Sequence, residues 1–286
     1  MPSAFHRPIV SVGDLLAMFE SKPDRLRIVD MRWYLGRPGD GRAAYDVGHI
    51  PSSIFLDLDN DLVAPNGPGR HPLPDPAVFA ARLAALGIGD EHLVVACDDV
   101  GGWVAARLWW MLDDLGHRDT AVLDGGLPAW RAAGLPMTTE EPALPPTTLV
   151  LGGAWRKVID RANLRSRLGS LTLLDVRAGE RYRGDVEPID PVAGHIPTAI
   201  SAPTTESLGP DGRFLSSGSL RTRFRALGAA AGDVVTSCGS GVSACHTALA
   251  MRIAGLPDPL LYPGSFSDWS RAGMPVESGP EPGGLA

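Results

Sequence analysis

The chain has 286 residues, of which 44% are hydrophobic, and its 26 Lys and Arg against 33 Asp and Glu give a formal net charge of −7. This length suits two domains, and the acidic balance disfavours a general nucleic-acid-binding protein, which needs an excess of Lys and Arg on one face. Three cysteines without a C-x-x-C pair exclude a disulfide framework and indicate reduced thiols.

The sequence indicates neither a secretory leader nor a membrane span. Residues 1–10 include Pro2 and Pro8 and lack the apolar stretch of a signal peptide. No unbroken apolar run in the chain approaches the ~18 residues of a membrane helix. We therefore expect a cytoplasmic protein that makes no membrane contact.

Short apolar runs alternate with helical patterns along the whole chain. Such βα alternation predicts mostly parallel sheets flanked by helices, which is the α/β class. The predicted strands are 27–31, 93–97, 121–123, 171–176, 233–237 and 260–262, and the predicted helices are 76–86, 104–115, 219–227 and 243–254.

The second half of the chain repeats motifs of the first at a distance of roughly 140 residues, which is too long for a solenoid unit and typical of a duplicated domain. Residues 137–148 are rich in proline and polar residues and have no strand or helix periodicity. We predict one domain at 1–138, a linker at 139–150 and a second domain at 151–286. The matched segments are 30–32 with 175–177, 48–51 with 194–197, and 123–130 with 261–269.

His49 and His195 each lie in a Gly-His-Ile-Pro segment of the repeat. A residue present in both copies is more simply an element of the fold than a catalytic base, so we expect both histidines to hydrogen-bond to the main chain. The Asp-x-Arg segments at 30–32 and 175–177 receive the same interpretation.

One loop differs between the two copies. After the predicted strand 233–237, the second copy reads Cys-Gly-Ser-Gly-Val-Ser at 238–243 and enters a helix. Glycines let backbone N–H groups converge and the helix N-terminus adds positive potential, so this loop favours an anion at Cys238. Because the thiolate is the reactive form of cysteine, Cys238 is predicted to be a nucleophile. The other loop residues expected to bind the substrate are Gly239, Gly241, Val242 and Ser243.

The first copy has no cysteine at the corresponding point. Asp98 falls opposite Cys238, and residues 98–103 replace the loop of glycine and serine. The first domain is therefore predicted to lack the nucleophile. Cys97 and Cys245 are interpreted as buried structural thiols.

Three other functional classes fit the sequence less well. Residues 239–244 satisfy the dinucleotide pattern G-x-G-x-x-A, but only about 40 residues follow, too few for the βαβαβ unit. A cysteine phosphatase needs an arginine where this chain has Ala244. A binding or regulatory protein with two inert copies would have no reason to retain a thiol loop, and it would show no fast-reacting cysteine.

The chain resembles the tandem-domain rhodaneses over nearly its whole length, and its loop at 238–243 is similar to that of the 3-mercaptopyruvate sulfurtransferases. The resemblance implies two tandem rhodanese-like α/β domains, the first inactive. It further implies that Cys238 takes sulfur from mercaptopyruvate, releases pyruvate and passes the resulting persulfide sulfur to a thiol or cyanide. The expected acceptor is a thioredoxin-like protein or a low-molecular-weight thiol, and neither a metal nor an organic cofactor is implied.

The resemblance also implies a catalytic set around Cys238. By motif, Ser240 of the loop is associated with Asp59 and His71 from the first half of the chain. A neutral imidazole can carry a proton between the substrate thiol and the leaving enolate, and a carboxylate can fix the imidazole tautomer.

Arg181, in Glu-Arg-Tyr-Arg-Gly at 180–184, matches the substrate-binding arginine of the family, and a guanidinium fork suits a carboxylate. The mercaptopyruvate branch has a second arginine after a Glu-Pro pair, whereas Glu187 and Pro188 are followed here by Ile189. Loss of one charged partner weakens carboxylate binding by about 1.5–3 kcal/mol unless another group substitutes. Thiosulfate therefore stays open as the donor.

Overall fold

The computed structural model describes residues 8–284, and it divides into two compact units. The first unit comprises 8–63, Pro74–Arg156 and Pro210–Phe214. The second comprises Ala64–Leu73, Lys157–Gly209 and 215–284. The interpretation of residues 1–10 as free of a leader falls mostly on 1–7, which lie outside the described residues.

Each unit is built on one parallel sheet with helices, which confirms the predicted α/β class. In the first unit the strand order is β1-β5-β4-β2-β3, and every pair is parallel. Its strands are β1 (Ile9–Val10), β2 (Leu26–Asp30), β3 (Ser53–Phe55), β4 (Leu93–Cys97) and β5 (Thr120–Leu123). Its helices are α1 (Val12–Ser21), α2 (Asp40–Val47), α3 (Leu58–Asp61), α4 (Pro76–Ala85), α5 (Ala105–Asp114) and α6 (Gly126–Ala132), with a 3₁₀ turn at Pro23–Arg25.

The sheet of the second unit has the order β7-β6-β8-β9, again with parallel pairs throughout. Its strands are β6 (Thr172–Asp175), β7 (Ile200–Ser201), β8 (Val234–Ser237) and β9 (Leu260–Leu261). Its helices are α7 (Arg161–Arg167), α8 (Gly179–Arg183), α9 (Ser217–Ala226), α10 (Ala244–Ile253) and α11 (Ser265–Arg271), with a 3₁₀ turn at Thr204–Ser207.

Local sequence signals explain where several of these elements begin. Ser11 and Asp14 form a capping box at the start of α1. The Asp75 carboxylate accepts hydrogen bonds from the first turn of α4, whose first residue is proline. All five residues of β4 are buried, because an interior strand of a parallel sheet is covered on both faces and reads as an unbroken apolar run.

The duplicated histidines hold the fold through the main chain, as predicted. His49 Nδ1 lies 2.9 Å from the Tyr45 carbonyl oxygen, and the ring stacks on Tyr45 at 3.7 Å between centroids. His195 Nδ1 lies 2.8 Å from the Tyr182 carbonyl oxygen and stacks on that ring at 3.9 Å. Both histidines are fully buried, so their shared environment accounts for their repetition.

The two Asp-x-Arg segments form matching buried ion pairs. Arg32 donates to Asp30 at 2.8 Å and to the Gly48 carbonyl oxygen at 2.9 Å. In the second unit Arg177 donates to Asp175 and to the Gly194 carbonyl oxygen, both at 2.6 Å. Each pair therefore ties the end of a strand to the turn before the repeated histidine.

The segment predicted as a linker, 139–150, has no helix or strand and packs within the first unit. Thr147 N–H donates to the Ala84 carbonyl oxygen at 2.9 Å, and Val150 N–H donates to Asp90 Oδ1 at 2.8 Å. The first unit thus extends to Arg156, whereas Ala64–Leu73, which the sequence division placed in the first domain, belongs to the second unit.

Among the described residues, no helix combines the length and hydrophobicity that crossing a bilayer requires.

Candidate active site

The loop at 238–243 joins the carboxyl end of β8 to the start of α10, which is where ligands bind in open parallel sheets. Gly241 has φ +80°, and a Cβ atom there would lie 2.4 Å from the Pro263 carbonyl oxygen. This position therefore requires glycine for both its dihedral angle and its close approach to the neighbouring chain.

Main-chain and hydroxyl groups fix the Cys238 thiol. The Gly241 N–H donates to Cys238 Sγ at 3.1 Å, and Cys238 N–H donates to Ser265 Oγ at 3.0 Å. Phe266 N–H donates to the Cys238 carbonyl oxygen at 3.0 Å. Only 2% of Cys238 is exposed, so the sulfur lies in a shielded site with an N–H group directed at it, as an anionic sulfur would require.

The equivalent loop of the first unit holds a carboxyl group instead of a thiol. Asp98 Oδ1 accepts hydrogen bonds from Val100 and Gly102 N–H at 2.9 and 2.8 Å. Its Oδ2 accepts from Val104 and Ala105 N–H at 3.0 and 2.9 Å. Burial raises the pKa of the Asp98 carboxyl, and these four N–H groups oppose that rise. The turn from strand to helix in this fold is thus an anion cradle.

His71 and Ser240 meet within the second unit. His71 Nδ1 lies 2.7 Å from Ser240 Oγ, which is hydrogen-bond distance. Each residue is 7% exposed. His71 reaches the loop because Ala64–Leu73 belongs to this unit, so the predicted association of these two residues has a geometric basis.

Asp59 lies in the first unit, in the short helix α3, where its carboxylate accepts a hydrogen bond from Trp33 Nε1 at 2.8 Å. The cap of that helix is Asp57, whose Oδ1 accepts from Asp59 N–H at 2.8 Å. The carboxylate that caps this helix is thus that of Asp57 and not that of Asp59. The catalytic role of Asp59 stays a prediction.

Arg181 stands beside the loop, held by buried carboxylates. Its Nη2 donates to Glu187 Oε1 at 2.6 Å and to Asp190 Oδ2 at 3.3 Å. The Arg181 Nη1 atom would lie 3.6 Å from a Cβ atom placed on Gly239. The guanidinium thus borders the cysteine loop, as a cation for the donor anion must.

The two remaining loop residues, Val242 and Ser243, lead into α10. Val242 is 3% exposed, and its carbonyl oxygen accepts from Cys245 N–H at 3.1 Å. The Ser243 carbonyl oxygen accepts from His246 N–H at 3.1 Å. These bonds form the first turn of the helix and fix its N-terminal end at the loop.

Arg70, which the sequence did not single out, also borders the loop. Its Nη2 would lie 2.8 Å from a Cβ atom on Gly239, and its Nη1 pairs with Asp190. The available signal was its place directly before His71, in a segment already singled out. Within the described residues, no group of three His, Cys, Asp or Glu side chains is arranged to hold a metal ion.

Comparison with known proteins shows the family to which this chain belongs. The family model of the rhodanese-like domain matches residues 11–133 and again 160–272. The chain belongs to the rhodanese family of sulfurtransferases. A probable 3-mercaptopyruvate sulfurtransferase of Pseudomonas aeruginosa is 49% identical over 262 residues, which cover 89% of this chain and 92% of that protein. A putative thiosulfate sulfurtransferase of Mycobacterium tuberculosis is 40% identical over 268 residues, covering 92% and 93%.

Solved structures of other rhodanese-family proteins have the same fold. The 3-mercaptopyruvate sulfurtransferase of Leishmania major superposes with a TM-score of 0.81 at 31% identity, over 94% of this chain and 76% of that one. SseA of Escherichia coli, a rhodanese-fold protein described with the 3-mercaptopyruvate sulfotransferases, gives 0.78 at 28% identity, over 91% and 99%. The predicted pair of rhodanese-like domains is confirmed.

Proposed function

We propose that this chain moves a sulfur atom from 3-mercaptopyruvate to a thiol or cyanide through a persulfide on Cys238. The observation that carries the proposal is the Gly241 N–H directed at Cys238 Sγ at 3.1 Å, in a loop bordered by the Arg181 guanidinium. A main-chain N–H directed at a sulfur atom favours the thiolate, which is the nucleophilic form of cysteine.

In the first half-reaction the Cys238 thiolate attacks the sulfur of mercaptopyruvate. The new bond joins the two sulfur atoms, the bond between sulfur and C3 of the donor breaks, and its electron pair leaves as the enolate of pyruvate. The proton of the donor thiol must reach C3 of that enolate to give pyruvate. A group that accepts and returns a proton accelerates such a step.

The pair of His71 and Ser240, with Nδ1 and Oγ 2.7 Å apart, can serve this transfer. A hydroxyl both donates and accepts, and a neutral imidazole does so through its two nitrogens. Ser240 follows Cys238 by two residues in the same loop. Its hydroxyl would exchange the proton with the donor, and His71 would accept the proton from Ser240 and return it.

The persulfide has an outer sulfur that needs hydrogen-bond donors. Asp98 shows that a loop of this kind, between strand and helix, can direct four N–H groups at one carboxyl group. Gly239, Gly241, Val242 and Ser243 supply the corresponding main chain in the second unit. In the second half-reaction a thiol, of a thioredoxin-like protein or a small molecule, or cyanide attacks this outer sulfur and regenerates the Cys238 thiolate.

The cytoplasm is the compartment that suits this chemistry, because a persulfide carrier must start as a free thiol. Cys97, Cys238 and Cys245 all lie in the described part of the chain and form no disulfide there, and the cytoplasm keeps such thiols reduced.

Intact-mass spectrometry tests the proposal. Donor treatment of the wild-type protein should add the mass of one sulfur atom, which peptide mapping should locate on Cys238 and which an added thiol should remove. Cys238→Ser should show neither the adduct nor turnover, whereas Cys245→Ser, which removes a second buried thiol at the start of α10, should keep both. An adduct on another residue, or turnover by Cys238→Ser, would refute the assignment.

Thiosulfate is the second candidate donor. Ile189 occupies the position of the second arginine of the mercaptopyruvate branch, and the Mycobacterium tuberculosis relative is named a putative thiosulfate sulfurtransferase. Comparison of kcat/KM for the two donors, with sulfide or thiocyanate as the measured product, decides between them. A larger kcat/KM for thiosulfate would make it the preferred donor.

A further inference from the structure

The start of α11 is bound to the cysteine loop through its main chain. The first N–H groups of a helix have no partner within the helix and need acceptors elsewhere. Phe266 N–H donates to the Cys238 carbonyl oxygen at 3.0 Å. Ser267 N–H donates to the Gly239 carbonyl oxygen at 2.9 Å. The first turn of α11 and the residues directly before Ser240 are therefore held together.

The side chain of Ser267 binds the segment that carries His71. Its Oγ accepts a hydrogen bond from Arg70 N–H at 3.1 Å and donates to the Gly264 carbonyl oxygen at 3.0 Å. Ser267 is fully buried, and an N–H group that loses its acceptor in such a place is costly. One residue thus binds the cysteine loop through its main chain and the segment Ala64–Leu73 through its hydroxyl.

The segment can lie close to Ser267 because residue 69 is glycine. Gly69 has φ +77°, and a Cβ atom there would lie 2.5 Å from the Gly264 carbonyl oxygen and 2.8 Å from Ser267 Oγ. Only glycine combines this dihedral angle with this close approach. The sequence therefore supplies both the approach of the segment, at Gly69, and the acceptor that fixes it, at Ser267.

The two hydrogen bonds of Ser267 end directly before the two members of the proton-transfer pair. His71 follows Arg70 and Ser240 follows Gly239 in the chain. His71 Nδ1 and Ser240 Oγ lie 2.7 Å apart. A hydrogen bond weakens steeply when its distance or angle departs from the ideal values. The contact between His71 and Ser240 therefore depends on the place at which Ser267 holds the main chain before each of them.

Arg70 has a second contact, which retains the segment by its side chain. Its Nη1 atom pairs with the buried carboxylate of Asp190. The guanidinium is at the end of a long side chain with much rotamer freedom, whereas the bond from Arg70 N–H holds the main chain next to His71. Loss of the Ser267 hydroxyl should therefore displace His71 and leave the segment in the second unit.

We propose that Ser267 is a positioning residue for proton transfer by His71 and Ser240. It acts through both of them, by binding the main chain directly before each one. This proposal rests on the proposed function, because the proton that the pair moves is that of mercaptopyruvate. In this role Ser267 contacts neither the donor nor the reacting sulfur.

Kinetics with two donors distinguishes positioning from support of the whole loop. Ser267→Ala should lower kcat with mercaptopyruvate about tenfold to a hundredfold, the effect of displacing a reacting group by about 1 Å. The leaving group of thiosulfate is sulfite, which needs no proton, so kcat with thiosulfate should stay within about twofold of wild type. Equal losses with the two donors would overturn the proposal.

Ser270→Ala is the matched control, because it removes another hydroxyl from the same helix. Ser270 is 5% exposed, and its Oγ donates to the Phe266 carbonyl oxygen at 2.8 Å. It makes the same kind of bond within the helix as Ser267 makes to Gly264. The control should keep kcat with both donors, and a loss with mercaptopyruvate equal to that of Ser267→Ala would refute the role of Ser267.

A double variant tests whether Ser267 acts through His71. In His71→Gln the imidazole is already absent, so the addition of Ser267→Ala should change kcat with mercaptopyruvate by less than about twofold. Residues that act through one another show such non-additive effects. A further loss as large as that caused by Ser267→Ala alone would show that Ser267 acts elsewhere, and it would overturn the proposal.

Nitrogen-15 NMR of protein with labelled histidine gives a readout that needs no turnover. The Nδ1 resonance of His71, assigned by its absence from His71→Gln, reports the hydrogen bond to Ser240. In Ser267→Ala this resonance should move towards its position in Ser240→Ala, and in Ser270→Ala it should stay in place. An unmoved resonance in Ser267→Ala would refute the proposal.

Failure of the proposed function would give a different result. If donor treatment of the wild-type protein left no sulfur adduct on Cys238, the proposed function would be wrong. A moved His71 resonance in Ser267→Ala would then still identify Ser267 as the residue that sets the spacing of His71 and Ser240.

Discussion

Asp98 in the first unit and Cys238 in the second occupy the same point of the same local structure. Each directly follows a strand in the interior of a parallel sheet, and each begins the loop that enters a helix. Asp98 receives four main-chain N–H groups, and Cys238 Sγ receives that of Gly241. One copy of the repeat therefore fills its anion cradle with its own carboxyl group, and the other presents a thiol there.

The Asp98 carboxyl group should be a major stabiliser of the first unit. In Asp98→Asn the amide nitrogen would face at least two N–H donors, so the free energy of unfolding should fall by about 2–4 kcal/mol. Sulfur transfer per folded molecule should be retained, since Cys238 is unaltered. Urea denaturation measures the loss, with the exposed Asp46→Asn as the control. A loss no larger than that of the control would contradict the cradle.

Gly241→Ala should disable the cysteine loop. The substitution combines an unfavourable dihedral angle with a Cβ atom 2.4 Å from the Pro263 carbonyl oxygen. Gly228→Ala is the matched control, because φ there is +71° and no atom lies within 4 Å of the added Cβ. The control should cost about 1–2 kcal/mol of stability, and Gly241→Ala should cost more and abolish sulfur transfer. Equal effects of the two variants on stability and activity would contradict the clash.

Ser240→Ala should separate the two candidate donors. The leaving group of mercaptopyruvate is the enolate of pyruvate, which needs a proton, whereas the leaving group of thiosulfate is sulfite, which needs none. A proton-transfer group contributes about 10²–10⁴-fold, so kcat with mercaptopyruvate should fall by about that factor and kcat with thiosulfate should change little. Steady-state kinetics with both donors measures the difference, and the exposed Ser170→Ala serves as the control. Equal losses with both donors would argue for a structural role of Ser240.

The first unit should lose stability in mild acid through its buried histidines. Burial lowers the pKa of both His92 and His117 below the ordinary value of 6.5. The unfolded chain therefore binds more protons near pH 6, so the stabilisation is fully present above pH 6.5 and is lost as the pH falls below that value. Protonation of His92 Nδ1 would also break its hydrogen bond from Gly89 N–H, which is 2.7 Å long.

His92→Gln tests this pH dependence. The amide oxygen can still accept from Gly89 N–H but does not titrate. Urea midpoints at pH 7.5 and pH 5.5 should differ less for the variant than for the wild type, and contributions of carboxyl groups common to both proteins cancel in this comparison. Identical differences would show that His92 does not contribute to the acid loss of stability.

The repeat made most of the fold predictable. Strand and helix patterns recur in both halves of the chain. Because His49 and His195 are also repeated, the sequence predicted that they support the fold, and both lie at hydrogen-bond distance from main-chain carbonyl oxygens. Cys238 could be singled out from sequence because only one copy has a thiol at that position, and its role as the nucleophile stays a prediction. The fold was predicted from local periodicity, and Cys238 was singled out by comparison of the two copies.

The place of Arg70 beside the cysteine loop could not be predicted from sequence because it depends on where Ala64–Leu73 lies. That segment has no strand or helix periodicity, so no local rule places it in the second unit. The ion pairs of Asp190 with Arg70 and Arg181 could not be predicted for a related reason, because they depend on which residues are neighbours in space. The segment is positioned by the close approach of Gly69 to Gly264, and this contact between distant parts of the chain could not be predicted from local sequence.

The inclusion of Ala64–Leu73 in the second unit has a consequence for any attempt to divide the protein. A fragment that begins at residue 151 would carry Cys238 but would lack His71 and Arg70, together with the main chain that covers Gly264. The two halves of the repeat therefore do not correspond to two separable pieces of chain, because the ten residues Ala64–Leu73 of the first half belong to the second unit.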